Sequence, residues 1–141
     1  MKQPLANPTY QPVPHPETRF ASFREFYPFY LGEHANRINR LMHLLGTSAA
    51  VLSTSRVLLS LVPYLLARLD LQSSKEIKAL QLTLGEAGKV ILRGIGIGYA
   101  CAWVGHFFVE KNRPATFKYP LMSFMGDLRM LFEVITLRRS I

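Results

Sequence analysis

Apolar positions along the chain gather into two long blocks separated by a polar gap. From Leu41 to Ala67 the only charged residue is Arg56, and from Val90 to Val109 the only one is Arg93. Each block reaches the roughly 20 residues that a membrane-crossing helix needs. The pattern predicts a first long helix over Leu41–Leu69, kinked at Pro63, and a second over Val90–Asn112, ended by Pro114. Asp70–Lys89 between them is polar, rich in Gln, Ser, Lys and Glu, with Gly85 and Gly88 near its end. Downstream, Leu121, Phe124, Met125, Leu128, Leu131, Phe132 and Ile135 form one apolar stripe of helical period, opposite Asp127, Arg129 and Glu133. That helix is expected to lie on a surface or pack on the bundle rather than to span.

Residues 1–16 hold five of the nine prolines and no apolar signal-peptide core, which predicts an extended, solvent-exposed tail with His15 as an ordinary surface histidine. Residues 17–141 then form a single helical membrane domain. Phe20, Phe23, Phe26, Tyr27 and Tyr30 recur at three- and four-residue spacing beside Arg19 and Arg24. Ser22 and Glu25 fit a capping box, and Pro28 is expected to bend or end the short helix. Such an aromatic face suits either a membrane interface or a core. No strand pattern competes. The class is all-α, a small helical membrane protein with two long apolar helices and amphipathic flanking helices. The competing reading is a soluble all-α domain with two buried core helices.

Composition narrows the function. The chain has 141 residues, room for one domain and not for a large soluble enzyme with a separate cofactor domain. Its net charge of +8 suggests nucleic acid or an anionic membrane, but Lys and Arg stand as singles except Arg138-Arg139, which speaks against nucleic acid. Five basic residues precede Leu41 and six follow Val109, with Arg68, Lys75, Lys78 and Lys89 between, favouring termini on the cytoplasmic side of a bacterial inner membrane or endoplasmic reticulum. One cysteine, Cys101, excludes a disulfide framework and a cysteine-rich metal site, and reads as a small packing residue. Arg56 and Arg93 are costly inside apolar helices and call for partners such as Glu86, Glu133 or a lipid phosphate.

Candidate chemistry sits in two places. Gly94, Gly98, Ala102, His106 and Glu110 follow at four-residue steps, so they share one helix face. The small residues would admit another helix, in this chain or in a second copy forming a homo-oligomer, and would draw His106 and Glu110 into that contact. An imidazole and a carboxylate one turn apart can bind one metal ion, or the carboxylate can orient the imidazole. Gly94-Ile95-Gly96-Ile97-Gly98 is no dinucleotide fingerprint, since Tyr99 or Cys101 stands where the third glycine belongs. The second cluster is His34, Asn39, Arg40, His43, Gly46 and Thr47. His34 and His43 lie nine residues apart, about 180° around an unbroken helix, so they can serve one site only if the chain breaks between them. Spacing alone leaves open a three-histidine metal site and a set of core or interface histidines.

These residues resemble a family. His34-x4-Asn39-Arg40-x2-His43-x2-Gly46-Thr47 is one half of its pattern; Trp103-x-Gly105-His106-x3-Glu110-x-Asn112-x-Pro114-Ala115, followed by Gly126-Asp127, is the other. Together they are similar to the small membrane proteins typified by the yeast 2-hydroxy-palmitic acid dioxygenase, over roughly Phe23–Leu137. The resemblance implies an integral membrane enzyme of fatty acid α-oxidation that uses Fe(II) and molecular oxygen to shorten a 2-hydroxy fatty acid by one carbon. It makes His34, His43 and His106 the candidate iron ligands. Glu110 and Asn39 become the catalytic candidates, Glu110 as a ligand or a ligand's partner and Asn39 as a group that orients a ligand or holds the substrate head group. Arg40 or Arg113 would pair with the substrate carboxylate or with lipid headgroups. The polar stretch Asp70–Lys89 stands where further apolar spans are expected in that family, which leaves the number of crossings open. The alternative is a non-catalytic membrane protein that binds lipid, a structural metal or a partner helix.

Overall fold

Ser22 opens the first helix, α1 (Phe23–Gly32), by accepting from the Glu25 N–H, as the capping-box spacing anticipates. In this computed structural model, which describes residues 4–141, Pro28 lies inside α1 and does not end it. The backbone bond that Pro28 cannot donate is outweighed by packing, because Phe26, Tyr27, Phe29 and Tyr30 are all buried. The aromatic face is therefore core.

Asn36 caps α2 (Arg37–Leu59) by accepting from the Ile38 N–H at 2.8 Å, so the helix starts four residues before Leu41. The expected kink at Pro63 is a break upstream of it. A proline ring clashes with the carbonyl four residues back, here Leu59, and the chain restarts as α3 (Val62–Arg68) with Pro63 in its first turn. The polar gap is not all loop. It holds the short α4 (Lys75–Lys78), and a capping box between Thr83 and Glu86 starts α5 (Leu84–Trp103) six residues before Val90. Arg56 reaches this connection, donating to the Leu80 carbonyl at 2.8 Å. A π-helical segment, Val104–Glu110, continues α5 and stops at Lys111, which adopts a left-handed φ of 58°. A 3₁₀ turn (Ala115–Phe117) leads to α6 (Pro120–Ile135). No strand occurs among the described residues.

α2 and α5 pack antiparallel. Gly94 rests on Ser53 and Ala49, Gly98 lies over Gly46, and Gly105 meets Asn39. The small-residue stripe that sequence spacing offered to a second copy is thus occupied by α2 of the same chain. Two helical stretches, Arg37–Arg68 and Leu84–Glu110, are long and apolar enough to cross a membrane, with only 11% and 17% of their most apolar portions buried. Burial concentrates at one end of the pair, in the first turns of α2 and the π segment, where α1 and α6 close over them.

α6 packs with its polar side inward. Ser123, Gly126, Met130 and Glu133 are buried, whereas Leu121, Phe124, Phe132 and Ile135 face outward at 51–70% exposure. Glu133 explains the orientation. It accepts from Arg139 Nε at 2.6 Å, Tyr27 Oη at 2.9 Å and Arg129 Nε at 3.0 Å. Burial alone would raise its pKa, but these donors hold the carboxyl below its usual range. Arg139 also donates to the Asn7 and Ala6 carbonyls, at 3.0 and 2.6 Å. The N-terminal segment, expected to be extended and solvent-exposed, turns at Asn7–Tyr10 and is packed there: Tyr10 is buried and its hydroxyl donates to the Ser140 carbonyl at 2.7 Å. His15 remains at the surface.

Candidate metal centre

The chain break that a shared site requires lies between α1 and α2. His34 follows the end of α1, His43 stands two turns into α2, and His106 comes from the π segment. Their rings converge, with centroids 4.3 Å apart for His34 and His43, 4.8 Å for His34 and His106, and 4.9 Å for His43 and His106. All three are buried, and one ring nitrogen from each lies within 4.8 Å of the others.

Hydrogen bonding fixes which nitrogen is free. His34 Nδ1 faces the Tyr30 carbonyl at 2.6 Å, a group that only accepts, so Nδ1 carries the proton. His43 Nδ1 donates to Asp127 Oδ1 at 2.7 Å. His106 Nδ1 lies 2.7 Å from Asn112 Oδ1. The Asn112 amide is oriented by its other end, which donates to the Glu33 carbonyl and carboxylate, each at 3.1 Å, so Oδ1 must accept from His106. In the neutral rings every Nε2 is left as a lone pair. Those of His34 and His43 are buried without a partner. Burial, reinforced by the neighbouring His43 and His106, pushes the His34 pKa well down, which keeps that ring neutral. Three imidazoles, each held by its far nitrogen and presenting the near one to a common point, would in their neutral form make a donor set for a first-row divalent ion.

The partners behind the histidines are the residues that sequence reasoning did not assign. Asp127 accepts from both His43 and the Tyr30 hydroxyl, the latter at 2.5 Å. Tyr30 thus orients two of the three imidazoles, His34 through its carbonyl and His43 through Asp127. Gly126 lets α6 lie directly on the Tyr30 ring, where a β-carbon would come within 2.9 Å of the ring atoms. Asn112 and Asp127 stood in the motifs, but nothing local tied them to a particular histidine. Asp127→Ala removes the acceptor for His43 and leaves the buried Tyr30 hydroxyl unpaired. Its metal affinity, read by chelator competition, is expected to fall about 10- to 100-fold.

Asn39, a catalytic candidate from the sequence, packs against Gly105, the residue before His106. It is fully buried, Gly105 would place a β-carbon only 2.1 Å from its Oδ1, and neither Oδ1 nor Nδ2 has a partner. Glu110 does not join the three histidines. Its carboxylate accepts from the Asn36 N–H at 3.0 and 3.2 Å and so is engaged at the start of α2. Arg40 is also engaged elsewhere, its Nη1 donating to the His34 and Ala35 carbonyls at 2.7 and 2.6 Å while its guanidinium covers the Tyr10 ring. It shapes the break that carries His34. Arg113 is exposed and lines a separate surface hollow with Phe29, Phe107 and Lys118.

The family model described as 2-hydroxy-palmitic acid dioxygenase Mpo1-like matches residues 20–139. Neither a curated protein nor a solved structure matches the chain.

Proposed function

Because the chain belongs to the 2-hydroxy-palmitic acid dioxygenase Mpo1-like family, we propose that it is a membrane-embedded, Fe(II)-dependent dioxygenase that shortens 2-hydroxy fatty acids by one carbon. The observation that carries this reading is the convergence of three buried imidazoles whose Nδ1 atoms are all engaged as donors. His34, His43 and His106 would hold the ion through Nε2. Bound iron supplies an electrophilic, redox-active centre for oxygen and for the hydroxyl and carboxylate of an α-hydroxy acid.

The remaining work falls to the chain. Asn39 offers a donor and an acceptor, both unsatisfied and fully buried, to the polar head of the substrate. Asp127, Asn112 and the Tyr30 carbonyl keep the Nδ1 protons in place, so the rings do not turn or change tautomer as substrate enters. The aromatic core of α1 excludes water from one side of the cluster. With Arg40 and Arg113 both directed elsewhere, recognition of the acid rests on the metal and Asn39. The outward apolar faces of α2, α5 and α6 support residence in a bilayer, and the basic residues outside the two apolar blocks favour termini on the cytoplasmic side.

The test is metal content of detergent-purified protein reconstituted anaerobically with Fe(II), paired with oxygen uptake on 2-hydroxy palmitate. About one iron per chain with substrate-dependent uptake supports the reading. Tightly held metal without uptake would instead make the cluster a structural metal site.

A further inference from the structure

A groove of about 150 Å³ leads away from the histidines between α2, α5 and α6. His43 and Asp127 form its inner end, and its floor is made of small residues, Gly46, Ala50, Gly98 and Ala102. Its lips are Tyr99, Trp103 and Phe124, which are 48%, 47% and 53% exposed, so it opens sideways onto the same apolar surface that the long helices present. From His43 to Ala50 α2 advances about 10 Å, which sets the length of the passage.

Close helix packing does not by itself require this hollow. At Gly94 and Gly46 an added β-carbon would come within 2.6 and 3.0 Å of neighbouring side chains, so those glycines serve contact between α2 and α5. At Gly98 the nearest atom, the Gly46 carbonyl, would lie at 3.6 Å, an ordinary contact. A β-carbon is therefore tolerated at Gly98, which lines the hollow as well as meeting α2. The space is mostly apolar, with Thr47 and Thr116 among its walls, and its only titratable imidazole and carboxylate are His43, the proposed ligand, and Asp127.

We propose that this groove holds the acyl chain next to the head group of the 2-hydroxy acid, admitted laterally from the bilayer, and that Gly98, Ala102 and Ala50 set its capacity. The proposal rests on the dioxygenase reading for the identity of the head group; the groove and its continuity with His43 stand apart from it. A phospholipid would have to bring two chains and a bulky headgroup to a buried imidazole, whereas one unbranched chain ending in a compact acid fits the passage.

Trp103, the only tryptophan in the chain, reports on occupancy directly. Titrating 2-hydroxy palmitate brominated along its chain into detergent-purified protein should quench Trp103 saturably, with unlabelled 2-hydroxy palmitate competing. Ala102→Leu and, independently, Ala50→Leu should abolish the saturable phase while the protein keeps its bound iron, which shows that the variants are folded. Each buried methylene favours binding about fourfold, so excluding two or three should lower kcat/KM on 2-hydroxy palmitate relative to a short, water-soluble 2-hydroxy acid by roughly 15- to 60-fold. Quenching that never saturates, that persists in both variants, or that phospholipid displaces as well as the hydroxy acid does, overturns the groove even if oxygen uptake is intact. Saturable, variant-sensitive quenching in iron-loaded protein that takes up no oxygen supports the groove and overturns the dioxygenase reading instead.

Discussion

Purified His106→Ala is expected to lose its bound metal and to turn over 2-hydroxy palmitate at the uncatalysed background. Removing a residue that only orients a ligand costs about 10- to 100-fold in affinity or activity, so removing the ligand itself should exceed a hundredfold. The same holds for His34 and His43, since each would supply one of three Nε2 atoms and no fourth such ligand groups with them among the described residues. Glu110→Gln is the informative companion. Glu110 sits four residues after His106, and a reading by helical spacing would make the two equivalent, but its carboxylate caps α2 at the Asn36 N–H. That variant should keep its metal, with at most the modest loss of stability that follows a weakened cap. Metal analysis of the two proteins side by side separates a three-histidine centre from a His–Glu one. Equal loss in both would return Glu110 to the centre.

Arg139→Ala is expected to be the most destabilising single change outside the centre. Glu133 is 4% exposed and Arg139 is 5% exposed, and their 2.6 Å bond is the shortest contact either makes with a charged group. Without Arg139, Glu133 keeps Tyr27 and the half-exposed Arg129 as donors but loses its buried counter-charge, and the Ala6 and Asn7 carbonyls lose the guanidinium as donor. Breaking a buried pair from one side costs about 3–5 kcal/mol. Thermal unfolding of the two proteins in the same detergent should show it as a markedly lower midpoint. An unchanged midpoint would mean that the carboxylate is solvated in a way the buried network does not suggest.

Much of this fold is legible in hydropathy alone, because the two long helices are nearly uniform in apolar character and the turns around them are not. What hydropathy misses has physical causes. The start of α5 carries Gly85, Glu86, Gly88 and Lys89 around an isolated, exposed Leu84, so it is marked by the Thr83–Glu86 capping box rather than by an apolar run. The break before α3 belongs to Leu59, whose carbonyl cannot tolerate the Pro63 ring, and so falls upstream of the proline itself. For α6 the spacing gives the stripe but not its direction. Amphipathicity defines two faces, and which one turns inward depends on what Asp127 and Glu133 must reach.

The centre was legible to a different depth. The three histidines stand in spaced motifs, and the need for a chain break between His34 and His43 follows from helical geometry. The break itself depends on Asn36 and on Arg40 gathering the His34 and Ala35 carbonyls. The π segment that carries His106 has no sequence signature of its own, and the bond that engages Glu110 joins it to Asn36, 74 residues away. Tyr30 and Asp127 lie 97 residues apart, so no local pattern could join them.

The three ligands come from separate parts of the chain, two flanking the α1–α2 break and the third beyond the entire α2–α5 hairpin. An ion shared among them is therefore also a clasp. It would close one short loop and one very long one, and the long loop contains both apolar helices. Loop-closure entropy grows only slowly with length, so the long circuit is hardly more costly to close than a much shorter one. Loading and folding are then coupled: whatever holds the ion also holds the hairpin shut at its base.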